Sequence, residues 1–221
     1  MKKKLIAEFI GTFFLIWCGT GAIVINQQAP GNIGNLGIAI TFGLVVMSLI
    51  YAFGNVSGAH FNPAVTIAFA VSKRFPVAQV VPYIIAQIAG SIIASSVLLL
   101  LFPTDATKLG ATIPHGSTLQ SFIMEFLLTF LLMIVIMKVA LGSKETGMFA
   151  GIAIGSVVLL EALFAGPICG ASMNPARSIG PAVVSAHLQH LWLYIVAPIL
   201  GAGAAVFLFN YLQPNTTDVQ V

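Results

Sequence analysis

Ser57-Gly58-Ala59-His60-Phe61-Asn62-Pro63-Ala64 returns later in the chain as Cys169-Gly170-Ala171-Ser172-Met173-Asn174-Pro175-Ala176. A second pair precedes these in the same order: Ala7-Glu8-Phe9-Ile10-Gly11-Thr12-Phe13 returns as Met124-Glu125-Phe126-Leu127-Leu128-Thr129-Phe130, keeping Glu-Phe and Thr-Phe at equal spacing. An internal repeat of this kind decides the architecture built on it. Asn is a strong helix N-cap, and proline suits the first helical position, where its missing N–H would have had no partner, so each Asn-Pro starts a helix. From Pro63 to about Ser72 and from Pro175 to about Ala186, these helices would run roughly 15 to 18 Å at ~1.5 Å per residue, half of the ~30 Å hydrocarbon core. They are long enough to dip into a bilayer and too short to cross it.

Composition supplies the bilayer. Of 221 residues, 58% are hydrophobic and 7% charged, against roughly 25% charged in an ordinary soluble domain. Six apolar stretches approach the ~20 residues a crossing helix needs: Leu5 to Ile25, Leu36 to Phe53, Val80 to Phe102, Ser121 to Leu141, Phe149 to Gly166 and Leu191 to Leu212. Each half holds three of them, with its Asn-Pro-Ala segment after the second. An odd number of crossings per half turns the second half upside down, and inverted repeats place the functional site near the midplane. The expected fold is an all-α membrane protein with six transmembrane helices and two half-membrane re-entrant helices in an inverted repeat. It forms a single channel domain, 1–221, of half-repeats 1–112 and 113–221. Small residues at four-residue spacing, such as Ala86, Gly90 and Ala94, or Gly147, Gly151 and Gly155, suit close helix packing and need no chemistry.

The net charge of +3 is explained by topology and calls for no nucleic-acid partner. With both termini on one side, Lys2, Lys3, Lys4, Lys73, Arg74, Lys138 and Lys144 share that side, and Lys108 and Arg177 lie towards the other. By the positive-inside rule the termini are cytoplasmic, in the cell (plasma or inner) membrane. The opening MKKKLIAEFIGTFFLIWCG has the basic start and apolar run of a secretory signal, but Glu8 interrupts the run and the segment is read as a retained first helix. Cys18 lies inside a span and Cys169 in a polar break, so no disulfide joins them on positional grounds.

The Asn-Pro-Ala helices enter from opposite faces and meet end to end. Irregular backbone at that depth is tolerated only where it is buried or lines a wet cavity, which implies a central aqueous pore. Each helix N-terminus carries about half a positive charge, so two facing one another oppose the passage of cations, protons included. The same asparagines, their oxygens held by the helix starts, can turn NH2 donors to a passing oxygen.

Ser57 to Ala68 and Gly166 to Ala182 resemble the two signature loops of the major intrinsic protein, or aquaporin, family, and the resemblance covers essentially the whole chain. Gly-Ala-Ser-Met-Asn-Pro-Ala-Arg-Ser at 170–178, with Tyr194-Ile195 in the last span, is most similar to the nodulin-like branch. The resemblance implies a homotetramer with a pore in each subunit, passing water and small neutral solutes through the lipid bilayer. It further implies a selectivity filter, which counting from the motifs assigns to Phe42, Ala162, Ala171 and Arg177. Arg177 follows Asn-Pro-Ala directly, and an always-charged five-donor guanidinium both binds solute oxygens and repels cations. Water-selective members resemble one another in carrying His where this chain has Ala162. Two alanines, 162 and 171, imply a wider aperture suited to glycerol, urea or hydroxylated metalloids. Phe42 departs from the Trp usual in the nodulin-like and glycerol branches, and Ser178 from the Asp that usually follows the arginine in glycerol channels.

Ionisable groups inside spans cost about 2.5 to 3.5 kcal/mol each on insertion scales, so each needs a partner or a wet surface. The resemblance casts Glu8 and Glu125 as braces for the two loops and His60 as lining of the cytoplasmic approach. For Glu161, pore lining, loop bracing and pH sensitivity all stand open. No histidines and carboxylates fall at metal-ligand spacing, so no metal is expected. No Walker, Gly-x-Ser-x-Gly or dinucleotide pattern occurs either, so neither a cofactor nor an enzymatic activity is expected. The alternatives to a broad passive channel are a strictly water-selective one, a coupled secondary transporter, which would need a site for a driving ion, and an occluded scaffold.

Overall fold

Gly58 and Gly170 close two long helices in the left-handed conformation (φ 89° and 85°), and Asn62 and Asn174 open two short ones from extended backbone (φ −152° and −151°). The computed structural model describes residues 1–103 and 105–212. The segment 213–221, counted in the expected domain, lies outside them. In chain order the helices are α1 (Lys2–Gln28), α2 (Gly34–Ser57), α3 (Pro63–Val71), α4 (Val80–Leu101), α5 (Thr118–Ala140), α6 (Lys144–Met148), α7 (Ala150–Cys169), α8 (Pro175–Val184) and α9 (Leu191–Tyr211). Among the described residues, six helices are long and apolar enough to cross a membrane: α1, α2, α4, α5, α7 and α9. Their outward side chains, such as Leu100 and Phe207, are more than 70% exposed in the isolated chain, as lipid-facing groups should be. This is a multi-pass membrane protein with two re-entrant helices, α3 of nine residues and α8 of ten.

The elements differ from the sequence expectation mainly at their ends. Helix α1 starts at Lys2, three residues before the apolar stretch, and runs on to Gln28. Helix α7 runs through Gly166-Pro167, which reads as a stop, and ends only at the Gly170 cap. Neighbouring helices can satisfy the carbonyl a proline frees inside a membrane bundle. The short helix α6, capped by Ser143, has no counterpart in the expectation.

The duplication extends to packing. Helix α1 lies on α4, and α5 on α9. A Cβ at Gly90 would meet the Phe9 carbonyl, and one at Gly201 the Phe126 carbonyl, so the duplicated phenylalanines mark the same close approach in each half. The halves join along α2 and α7, where a Cβ on Gly155 would lie 2.6 Å from the Gly43 carbonyl and one on Gly43 2.7 Å from the Gly155 carbonyl. These approaches leave no room for a methyl group, which is the usual reason for glycine at a membrane helix crossing. Gly203, two residues beyond Gly201, faces open space instead.

Candidate functional site: a pore between two re-entrant helices

Each re-entrant loop is suspended from a buried glutamate. Glu8 accepts from the Ser57 hydroxyl (2.7 Å) and the His60 N–H (3.0 Å) on one oxygen, and from the Phe61 N–H (2.7 Å) and the Gln87 amide (2.8 Å) on the other. Glu125 accepts from the N–H groups of Ser172 and Met173, both at 2.8 Å. A carboxylate taken out of water is tolerated when its oxygens find donors, and here four of the donors are loop N–H groups, joined at Glu8 by the side chains of Ser57 and Gln87. Between them the loop residues alternate into the left-handed region: Ala59 and Phe61 at φ 51° and 48°, Ala171 and Met173 at 40° and 53°. Such values are uncommon for residues with a Cβ. Phe61 and Met173, two of the residues in this form, donate to the carboxylates.

The asparagines cross-link the loops. The Asn62 side-chain oxygen accepts from the Ala64 N–H at 2.9 Å while its amide donates to the Met173 carbonyl at 2.8 Å. Asn174 accepts from the Ala176 N–H at 3.0 Å and donates to the Phe61 carbonyl at 2.8 Å. One N–H of each amide is thus spent across the pseudo-symmetric junction. Since a primary amide has two, the other is left for a molecule in the cavity that both asparagines line. Pro63, Ala64, Pro175 and Ala176 are buried in the first turns of α3 and α8.

Two cavities run through the chain. The larger, of about 850 Å³, extends from Tyr51, Lys144 and Met148 past His60 and the asparagines; the other, of about 590 Å³, opens past Asn26, Asn35, Lys108 and His115. Phe42, Ala162, Ala171 and Arg177 line both, and among the described residues they alone do so. The Arg177 guanidinium donates through Nη1 to the Gly110 carbonyl at 2.8 Å and lies 5.3 Å from the centre of the Phe42 ring, within cation–π range. Its buried Nε–H has no protein partner. Gly19 leaves room for Phe42, because a Cβ there would overlap the ring. Ser178 lines neither cavity. It is bonded to the hydroxyls of Thr112 (2.8 Å) and Ser172 (2.6 Å).

His60 forms part of the wall on the α3 side. Its ring lies 5.0 Å from Phe69, 4.9 Å from Phe75 and 5.4 Å from Tyr83, and Nδ1 is 3.1 Å from the Thr66 hydroxyl. Glu161, one residue from Ala162, is fully buried, lines neither cavity and has no partner on either oxygen. The geometry thus gives it neither pore contact nor a brace. Among the described residues no group of three or more His, Cys, Asp or Glu could hold a metal.

Sequence reasoning missed a polar stripe on α4. Tyr83, Gln87, Ser91 and Ser95 recur every fourth residue and are all fully buried. Tyr83 donates to the Ser57 carbonyl at 2.9 Å, Gln87 donates to Glu8 and Thr66, and Ser91 donates to the Ala176 carbonyl of α8. Spacing of four places such residues on one helix face, so the signal was present. In the second half Tyr194 repeats the role of Tyr83, donating to the Cys169 carbonyl at 2.7 Å. Ser57 and Cys169 occupy equivalent places in the repeat.

The profile described as Major intrinsic protein matches residues 1–209. The chain belongs to the major intrinsic protein family. Among curated relatives it is similar to Nodulin-26 from Glycine max (49% identity, covering 96% of this chain and 78% of that one). It is also similar to Aquaporin NIP3-1 from Arabidopsis thaliana (50%, covering 96% and 68%). Among solved structures it superposes on the aquaglyceroporin from Plasmodium falciparum with a TM-score of 0.83 at 26% identity, covering 96% of each chain. As a major intrinsic protein it is a channel for water and small neutral solutes, and not an enzyme.

Proposed function

We propose that this major intrinsic protein is a broad, passive pore whose selectivity filter is Phe42, Ala162, Ala171 and Arg177. The observation that carries the reading is that these four residues line both cavities, so a solute moving from one to the other passes among them. Two methyl groups form part of the wall, and Arg177 and the asparagine amides supply donors to it. Such a wall suits compact neutral solutes that accept hydrogen bonds: water, glycerol, urea and hydroxylated metalloids. The description of the structural neighbour as an aquaglyceroporin accords with this. Arg177 and the facing N-termini of α3 and α8 refuse cations, protons included.

The loops are held by Glu8 and Glu125, and His60 lines the cytoplasmic approach. The chain acts as one channel domain, 1–221, of inverted halves 1–112 and 113–221. It sits as a homotetramer in the cell (plasma or inner) membrane with both termini cytoplasmic, which the grouping of basic residues supports.

Stopped-flow light scattering on proteoliposomes tests the reading by comparing osmotic water flux with uptake of glycerol, urea and boric acid. Fast water flux together with solute uptake above that of empty vesicles is expected. Water flux without solute uptake would establish a strictly water-selective pore, and the absence of both would establish an occluded one.

A further inference from the structure

Three segments that are distant in sequence bring two cations onto one aromatic ring. The Arg74 guanidinium, in the turn after α3, lies 5.4 Å from the centre of the Phe209 ring in the last turn of α9, and the Lys138 ammonium, in the last turn of α5, lies 5.9 Å from the same centre. Both distances are within cation–π range. Phe209 is only 4% exposed although it stands near a helix end. Arg74 is held in place by its own N–H, which donates to the Phe69 carbonyl at 2.9 Å. Lys73 beside it is exposed.

Two like charges sharing one ring repel each other, and the ring alone does not neutralise them. Among the described residues neither cation pairs with a carboxylate: Glu8, Glu125 and Glu161 are buried in the interior, and the exposed Glu145 of α6 turns to Ser143. The position is at the end of three helices of a membrane protein. Leu212, three residues beyond Phe209 and therefore beside it on the helix surface, is 58% exposed, and Tyr211 is 86% exposed. An exposed tyrosine at a helix end is typical of the bilayer interface. The counter-charge that the described residues lack therefore belongs at headgroup depth with apolar surface beside it.

We propose that Arg74 and Lys138, gathered over Phe209, form a headgroup site for the phosphate of an anionic phospholipid whose acyl chains lie along the exposed end of α9. A diffuse basic surface would attract anionic lipid through every lysine near it. This site selects through two fixed charges, and the N-terminal lysines Lys2, Lys3 and Lys4 serve as the comparison.

Electron paramagnetic resonance of spin-labelled phosphatidylglycerol and phosphatidylcholine, with the full chain reconstituted in phosphatidylcholine, measures the relative association of each lipid. The wild type should prefer phosphatidylglycerol, and each neutralised charge should reduce that preference by up to about five-fold. Arg74→Gln with Lys138→Gln should abolish the preference while osmotic water flux shows that the channel is still folded. Arg74→Lys should keep most of it, and Lys2→Gln, Lys3→Gln and Lys4→Gln together should leave it in place. An unchanged preference in the Arg74→Gln/Lys138→Gln protein would overturn the site, as would an equal loss in the N-terminal variant. Displacement of the lipid by inorganic phosphate would assign the cluster to a soluble anion and overturn the proposal too.

Discussion

Asn62 and Asn174 are each tied to the residue that precedes the other, Asn62 to the Met173 carbonyl and Asn174 to the Phe61 carbonyl, both at 2.8 Å. The two helix starts are thus fixed relative to each other by the side chains that cap them. Asn174→Asp separates the two duties. Aspartate still caps α8, but it cannot donate to Phe61, and it places a negative charge between two positive helix ends. The expected outcome is a folded protein with reduced water flux and a new leak of monovalent cations. A dye-based leak assay on proteoliposomes checks it, and a variant as cation-tight as the wild type would show that the junction does not set charge exclusion.

Ala162→His narrows the passage that the filter residues share and adds a donor. Glycerol uptake should fall several-fold more than osmotic water flux, since only the larger solute depends on the space above the methyl group. An equal fall in both would count against the filter assignment.

Tyr83 and Tyr194 offer a test of the duplicated support. Tyr83→Phe and Tyr194→Phe each remove one hydroxyl donor from a buried loop carbonyl, with an expected loss of about 1 kcal/mol apiece. The two tyrosines serve opposite loops, so the double variant should lose the sum to within roughly 0.5 kcal/mol. Thermal unfolding in detergent reads both. Strong non-additivity would mean that the two loops act as one unit.

Glu161 sits fully buried with both oxygens unpartnered. Buried unsatisfied polar groups are destabilising by about 1–3 kcal/mol, so Glu161→Met should raise the unfolding temperature. Solute flux should change little, because Glu161 lines neither cavity. A lower unfolding temperature would show that this carboxyl has a supporting role.

What the sequence makes legible here follows from its scarcity of polar residues. In a chain with 7% charged residues, a glutamate or an asparagine stands out, and duplicated ones at matched spacing mark the inverted repeat and both helix starts. Phe42, Ala162, Ala171 and Arg177 were singled out by the family resemblance, and all four line both cavities. Packing partners were harder to read. A helix that is apolar all round carries little pattern to say which side faces inward, so the room that Gly11 makes for Phe61 and Gly19 for Phe42 has no mark in the sequence. The α4 stripe was within reach, because Tyr83, Gln87, Ser91 and Ser95 keep helical spacing. Short α6 was not, since its polar residues read equally well as a turn.

The bonds between the two loops span 111 and 113 positions of the chain. Contacts so distant in sequence form late, because a long loop must close before they repay the entropy lost. While the ribosome is still making the second half, the amide of Asn62 has no Met173 carbonyl to meet, and the first re-entrant helix lacks its opposing end. The junction of the two helix starts is therefore among the last parts to be assembled, and a chain stalled midway through synthesis holds three crossings and one re-entrant helix but no completed pore wall.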